Sequence, residues 1–169
     1  IATHRELFQS EILAELLPPL ETDGTSHLWE ALGRRFCDMS YAEADLRSSE
    51  DKEFIKDLFP SGLIYASLLS EDAQAVIGKV GAQTKGVEKM LKRVGFRYAH
   101  RVDPFDGGPH FSAFTDEITL IQATHRSRFV GLAQGRGTYG LVARETPGPP
   151  FFRAVGAAGG KADQGIPGV

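Results

Sequence analysis

The chain has 169 residues, 41% of them hydrophobic and 24% charged, which is typical of one globular domain or slightly more. Its formal net charge of -3 gives no electrostatic reason to expect nucleic acid or an anionic membrane as a partner. No apolar run approaches the roughly 20 residues that a helix needs to cross a bilayer, so we expect no membrane association.

The single cysteine, Cys37, excludes an internal disulfide framework and fits a reducing cytoplasm. Its neighbours Phe36 and Met39 favour a small core residue rather than a nucleophile at this position. The chain starts at Ile1, and an apolar-periodic pattern begins almost at once. We therefore expect the C-terminal part of a longer protein, or one chain of a two-part protein.

The first quarter of the chain predicts two helices and a strand. Apolar residues at three- and four-residue spacing indicate an amphipathic helix over residues 5–17, which the two following prolines would end. Ser26 can cap a second helix, and Gly33 is a natural left-handed terminator for it. Residues 34–39 are then predicted to form a strand. The same helix, glycine and strand order recurs over residues 90–98, which indicates either a repeated corner of one sheet or two independent helix endings.

The middle of the chain predicts a series of short helices. Ser40 followed by Glu43 is a capping box for a helix over residues 40–46, and a further helix is expected over 51–59. Residues 63–69 are compatible with strand or helix. Acidic residues in the first turn favour a helix over residues 70–77. Thr84 is expected to cap the next helix, which Gly95 ends.

The remainder of the chain predicts mainly strands. Residues 96–102 and 110–114 are expected to form two strands on either side of a turn rich in Asp and Gly. Short strands over 129–133, 139–143 and 151–155 predict a small β unit. We therefore divide the chain into a domain over residues 1–128, a β appendage over 129–155 and a flexible tail over 156–169.

Several segments together resemble one enzyme family. The helix that leads into Gly95-Phe96-Arg97-Tyr98 is similar to the late helix-to-strand segment of the GCN5-related N-acetyltransferase superfamily. A more specific set of segments occurs in the order and spacing found in bacterial arginine N-succinyltransferases, including the related arginine/ornithine succinyltransferase subunits. These segments are LWEALGRRFCDM (28–39), FIKDLF (54–59), LIYASLLSEDAQAVIG (63–78), Gln83-Thr84, GFRY (95–98) and FDGGP (105–109). The resemblance covers roughly residues 5–130.

The resemblance implies a fold, a reaction and partners. The fold would be an α/β structure with a mixed, mainly antiparallel acyltransferase-like sheet flanked by helices. The reaction would transfer a succinyl group from succinyl-CoA, a co-substrate rather than a bound cofactor, to the α-amine of arginine. An N-terminal half or a partner chain would hold the donor, and we expect an oligomer. Two alternatives stay open: a different amine such as ornithine, or a non-catalytic subunit that keeps the fold as a partner-binding module.

The sequence departs from the family at its presumed proton donor. The resemblance places that histidine in the loop after the AQAVIG segment, where this chain has Gly81. Glycine cannot transfer a proton. His110, which follows the FDGGP segment, is the best remaining imidazole, and the alternative for it is a strand residue that faces solvent.

The candidate substrate ligands are Asp103, Asp106, Gly107 and Gly108, together with Glu15. Carboxylates can accept a bidentate hydrogen bond from a guanidinium group, and glycine allows a ligand to approach the backbone closely. The alternatives are a turn in which each aspartate bonds the following backbone, and a solvated charge on a helix for the glutamate.

Three arginines are candidates for binding the succinyl carboxylate or the phosphates of succinyl-CoA: Arg34, Arg35 and Arg97. The alternative is that each arginine pairs with a nearby glutamate. No His, Cys or carboxylate pair has the spacing of metal ligands, so the sequence predicts no metal site.

Overall fold

A computed structural model describes residues 1–51, 53–59, 61–131 and 137–160. The chain divides into two compact units, Ile1–His125 and Arg126–Val169. Within the described residues, no helix is both long enough and apolar enough to span a bilayer.

The first unit contains six α-helices and three strands among its described residues. In chain order they are β1 (Glu11–Glu15), α1 (His27–Ala31), α2 (Tyr41–Glu50), α3 (Glu53–Leu58), α4 (Glu71–Val76), α5 (Lys85–Arg93), β2 (Arg97–Val102), β3 (Pro109–Phe114) and α6 (Thr119–Gln122). Short 3-10 helices lie at Arg5–Leu7, Gly33–Arg35, Ala66–Leu68, Ala82–Thr84 and Thr115–Glu117. The second unit contains β4 (Thr138–Glu145) and β5 (Phe152–Gly159), which pair antiparallel.

The sheet of the first unit has the order β1-β3-β2, and both of its pairings are antiparallel. Ile12 and Ala14 lie opposite Ala113 and Phe111, and these residues pack into a core with Leu16, Val80, Phe96 and Ile118. Successive side chains of a strand point to opposite faces, so Glu15 and His110 lie on the other face. The expected α/β fold with an antiparallel sheet is thereby confirmed.

A second feature of the core is Trp29 of α1, which is fully buried. Its ring lies 4.4 Å from that of Phe105, between ring centroids, and 6.3 Å from that of Phe59. The indole Nε1–H donates a hydrogen bond to the Met39 carbonyl at 3.0 Å. These contacts fix the turn between β2 and β3 against α1.

The helix predicted over residues 5–17 is wrong, because the segment forms a 3-10 turn followed by β1. The spacing of its apolar residues is compatible with a helix and with a strand, and pairing with β3 selects the strand. The backbone before β1 is also bound to the sheet, since Thr115 donates hydrogen bonds to the carbonyls of Gln9 and Ser10 at 2.6 and 2.8 Å. Long-range contacts therefore override the local pattern.

The strand predicted over residues 34–39 is also wrong. Gly33–Arg35 is a 3-10 helix and residues 36–39 form no strand, so the helix-to-strand corner is not repeated at this point. A Cβ at Gly33 would lie 2.2 Å from the Trp29 ring, so the chain passes close to the indole here. Cys37 and Met39 pack against the Trp29 cluster instead of pairing with a sheet, as expected for a core cysteine.

The local helix signals are mostly confirmed. The Ser40–Glu43 capping box is present at α2, and Ser70 caps α4. Gly95 ends α5 with a φ of 113°, where the Phe96 N–H donates to the Leu91 carbonyl at 3.0 Å. Thr84 precedes α5, but its side chain makes no cap and instead donates to the carbonyls of Leu17 and Gly81.

The later strands are partly as predicted. β2, β3, β4 and β5 are confirmed, whereas residues 129–131 form no strand and residues 132–133 lie outside the described residues. The tail predicted from residue 156 is wrong over 156–159, because these residues belong to β5 and pair with β4. Residues 161–169 lie outside the described residues.

Candidate functional site

The candidate site lies at one end of the strands of the three-stranded sheet. β1 and β2 both run antiparallel to β3, so both of them end where β3 begins. Glu15 is the last residue of β1, Asp103 follows β2, and His110 is the second residue of β3. One nitrogen or carboxylate oxygen from each of the three side chains lies within 4.8 Å of the others.

The turn between β2 and β3 positions Asp103. The Asp103 carboxylate accepts a hydrogen bond from the Phe105 N–H at 2.7 Å, and the Asp103 backbone is paired with Gly107 and Gly108. Gly107 has a φ of 85°, a conformation that strains residues with a side chain. A Cβ at Gly108 would lie 2.5 Å from the Leu16 carbonyl oxygen. The space that these glycines leave is therefore filled by the protein's own chain.

Asp106 is the most buried carboxylate of the site, with 3% of its surface exposed. It accepts hydrogen bonds from the Gly108 N–H at 2.7 Å and from the Tyr41 hydroxyl at 2.9 Å. Burial raises the pKa of Asp106, while these two donors lower it. Burial and the Asp106 charge in turn raise the pKa of Tyr41. Asp106 thus joins α2 to the turn, and its charge helps to raise the pKa of Glu15.

Glu15 is half-exposed, and one of its carboxylate oxygens lies within 4.8 Å of one from Asp103. The hydrogen bond to the Asp103 carboxyl group, burial, and the negative charges of Asp103, Asp106 and Asp45 raise the pKa of Glu15 to about 8. The described residues include no Lys or Arg in an ion pair with Glu15, Asp103 or Asp106.

His110 faces this pair from β3. Its Nε2 atom lies 3.8 Å from the Glu15 Oε2 atom, too far for a hydrogen bond. That nitrogen is buried and has no hydrogen-bond partner among the described residues. Glu15, Asp103 and His110 could each offer one ligand atom to a metal ion, a grouping that the sequence did not predict.

The raised pKa of Glu15 predicts a pH dependence of stability. The folded-state pKa of about 8 lies above the ordinary value of 4.5, so the folded chain holds a proton that the unfolded chain releases. The contribution of Glu15 is fully present below the ordinary value and is lost as the pH rises to about 8. We therefore expect the free energy of unfolding to fall over this range, and to fall less in Glu15→Gln.

Urea denaturation at several pH values measures this effect. Glu11→Gln is the matched control, because Glu11 is an exposed glutamate on the same strand. A pH dependence that is the same in Glu15→Gln as in the wild type would contradict the raised pKa.

Comparison with known proteins identifies the family. Residues 1–120 match the family model described as arginine N-succinyltransferase beta subunit. This chain belongs to that family. The arginine N-succinyltransferases of Salmonella arizonae and Salmonella typhi are each 39% identical to it over 151 residues, which is 86% of this chain and 43% of theirs. The chain therefore spans less than half the length of these relatives.

A solved structure shows the same likeness. Subunit AI of the arginine/ornithine succinyltransferase from Pseudomonas aeruginosa matches with a TM-score of 0.70 and 29% sequence identity. The match covers 96% of this family member and 46% of the solved chain. The resemblance predicted from the sequence segments is thus confirmed.

The three candidate arginines have different surroundings. Both Glu30 carboxylate oxygens accept hydrogen bonds from the Arg34 guanidinium at 3.1 Å, which is the alternative foreseen for it. Arg35 lines a cavity of about 280 Å³ between α1 and the start of α4. Arg97 lies opposite Ser112, two residues from His110, and therefore on the sheet face that carries Glu15. Of the three, only Arg97 shares a sheet face with the candidate site.

Gly81, which the sequence resemblance places at the family's presumed proton donor, has no room for a side chain. Its N–H donates to the Leu17 carbonyl at 2.8 Å, and a Cβ would lie 2.4 Å from the Pro18 carbonyl oxygen. The sequence also gave no sign of Tyr41, because its partner Asp106 is 65 residues away. Only the packing of α2 against the turn brings those two residues together.

Proposed function

We propose that this chain forms the amine-receiving part of an arginine N-succinyltransferase. The complete enzyme would transfer a succinyl group from succinyl-CoA to the α-amine of arginine. The observation that carries the proposal is the carboxyl cluster of Glu15, Asp103 and Asp106 at one end of the sheet, in a chain of this family. A cluster of negative charge without a protein cation is suited to a cationic substrate.

The guanidinium group of arginine fits the pair of Glu15 and Asp103. A guanidinium group donates hydrogen bonds from a planar fork, and two adjacent carboxylates can accept them. Asp106 would contribute its charge without a direct hydrogen bond to the substrate, because both of its oxygens already accept hydrogen bonds from the protein. An ammonium group such as that of ornithine would also suit these carboxylates, so the substrate class is a basic amino acid.

The remaining parts of the reaction would come largely from other polypeptide. Succinyl-CoA would be held by the part of the relatives that this chain does not span, and Arg97 on the same sheet face could bind the succinyl carboxylate. His110 lies beside the guanidinium site, several bonds away from the α-amine of a bound arginine. We therefore expect the proton acceptor for the amine to lie outside this chain.

Association with that other polypeptide follows from the same proposal. Leu13 and Phe114 are exposed, and both belong to strands of the sheet that carries the site. Covering exposed apolar side chains is favourable, so this surface suits contact with the rest of the enzyme. Further oligomerisation and a cytoplasmic location remain predictions.

The decisive test measures thiol release by the complete enzyme with succinyl-CoA and arginine. Asp103→Asn keeps an oxygen for the Phe105 N–H and removes the charge, so we expect the KM for arginine to rise by about 10- to 100-fold. The KM for succinyl-CoA should not change, and Glu11→Gln should behave as the wild type. Equal effects on both KM values would contradict the proposed role of Asp103.

A second candidate function is a non-catalytic, partner-binding subunit of the same fold. The observation that favours it is Gly81, where the family's presumed proton donor is replaced and a side chain has no room. Thiol release that is no faster with arginine than without an amine would support this candidate over the enzyme.

A further inference from the structure

One face of the hairpin formed by β4 and β5 carries two arginines side by side. Arg144 and Arg153 stand directly opposite each other in the ladder, and so do Val142 and Val155 two positions away. Residues two apart on a strand share a face, and these four side chains line one groove of about 320 Å³. They form the arginine–valine face of the hairpin. Both valines are more than half exposed, and a two-stranded hairpin is marginally stable alone in water, so covering this face would stabilise it.

The two positive charges are not neutralised by any described residue. Neither guanidinium group forms an ion pair within the described part of the chain. Glu145 follows Arg144 in sequence, so its side chain points to the opposite face of the hairpin. Like charges directly opposite each other destabilise a pair of strands. Residues 126–169 contain six Lys and Arg but only two Asp and Glu, so a carboxylate from elsewhere would relieve this repulsion.

A matching surface lies on α2. Residues 1–125 have the opposite excess of charge, with 20 Asp and Glu against 13 Lys and Arg. Asp45, Leu46 and Glu50 are all exposed, and their spacing places them within about 140° of the helix circumference. Leu46 is 64% exposed, and neither carboxylate forms an ion pair with another described residue. An apolar side chain between two carboxylates complements apolar side chains beside two guanidinium groups.

We propose that the arginine–valine face of one copy docks on the Asp45, Leu46 and Glu50 surface of a second copy, so that the chain associates with itself. The guanidinium groups would bind the carboxylates as planar forks, and the leucine would cover the two valines. Each copy carries both surfaces, so two copies can exchange these contacts in a closed, symmetric pair. A nucleic acid fits less well, because the net charge of -3 on the chain would repel it. The proposal does not depend on the proposed function.

Sedimentation equilibrium of the chain at several salt concentrations tests the association. We expect a dimer whose dissociation constant rises with ionic strength, because salt screens exposed charges. Arg144→Glu with Arg153→Glu, the hairpin variant, should weaken the dimer by about tenfold or more, since like charges then meet at the contact. It keeps two like charges opposite each other, so the hairpin itself should be no less stable. Arg128→Glu is the matched control, because Arg128 is an exposed arginine of the same unit outside β4 and β5.

Mixing two variants assigns the contact to α2. Asp45→Arg with Glu50→Arg, the helix variant, should also weaken the dimer. An equimolar mixture of the hairpin and helix variants should restore it, because both contacts of a mixed pair then join opposite charges. Circular dichroism checks that each variant is folded, and mixing cannot repair a misfolded chain. A wild-type chain that stays monomeric at low salt would overturn the proposal. So would a dimer that survives in the hairpin variant, an equal loss in Arg128→Glu, or a mixture that stays monomeric.

Discussion

Replacing Gly81 by histidine is expected to destabilise the chain by about 3 kcal/mol, and to give no higher rate of the proposed succinyl transfer when the complete enzyme is assayed. The reason is steric, since a Cβ at this position would lie 2.4 Å from the Pro18 carbonyl oxygen and 2.8 Å from its carbon. Both are backbone atoms, so the clash cannot be relieved by turning a side chain. Overpacking of this kind costs about 1–3 kcal/mol, and a backbone clash lies at the upper end. Urea denaturation measures the change.

Two further glycine variants test whether the added Cβ causes the loss of stability. Gly81→Ala should lose most of the same stability, because the Cβ itself is what clashes. Gly86→Ala is the matched control: Gly86 lies in α5 with nothing within 4 Å of an added Cβ, so this variant should gain up to about 1 kcal/mol. A Gly81→His variant that is as stable as the wild type would contradict the packing described for this loop. A faster transfer would show that this position can supply the proton donor.

Truncating Trp29 to alanine is expected to lower the free energy of unfolding by about 4 kcal/mol. Removing a fully buried aromatic side chain leaves a cavity, and such changes cost about 3–5 kcal/mol. The carbonyl of Met39 would also lose its donor. Trp29 is the only tryptophan of the chain, so denaturation must be followed by circular dichroism rather than by fluorescence.

Trp29→Ala should also disturb the candidate site. Phe105 packs on Trp29 and is adjacent to Asp106, so loss of the indole removes the support of the β2–β3 turn. We expect Trp29→Phe to lose less stability than Trp29→Ala, because it refills most of the cavity. Phe129→Ala, at an aromatic residue that is 80% exposed, should change stability by less than about 0.5 kcal/mol. A loss for Phe129→Ala equal to that for Trp29→Ala would contradict this view of the core.

The features predicted correctly from the sequence are those with local causes. The Ser40–Glu43 capping box and the left-handed Gly95 each depend on residues within one or two turns of a helix. The turn between β2 and β3 was likewise visible, since Asp and Gly define it through short-range hydrogen bonds. Such signals survive folding because no distant contact competes with them.

The incorrect predictions concern residues whose structure is determined by distant parts of the chain. Residues 11–15 carry apolar side chains that fit a helix as well as a strand, and only β3, almost 100 residues later, settles the choice. The sequence alone therefore identifies Glu15 as a candidate site residue but predicts a helix around it. Its proximity to His110 depends on strand register, which the sequence does not reveal. Gly107 and Gly108 were expected to admit a ligand, and they admit the protein's own backbone instead.

The pairing of β1 with β3 has a consequence for how this site can change. Glu15 stands directly opposite His110 in the ladder, and a slip of one residue would turn Glu15 toward the apolar interior. Hydrophobic burial of Ile12 and Ala14 forbids that slip. The hydrophobic packing of β1 therefore also keeps Glu15 aligned with His110. Substituting exposed side chains at this end of the sheet leaves the register intact, whereas an insertion between Ile12 and Glu15 would shift it unless a bulge absorbed the extra residue.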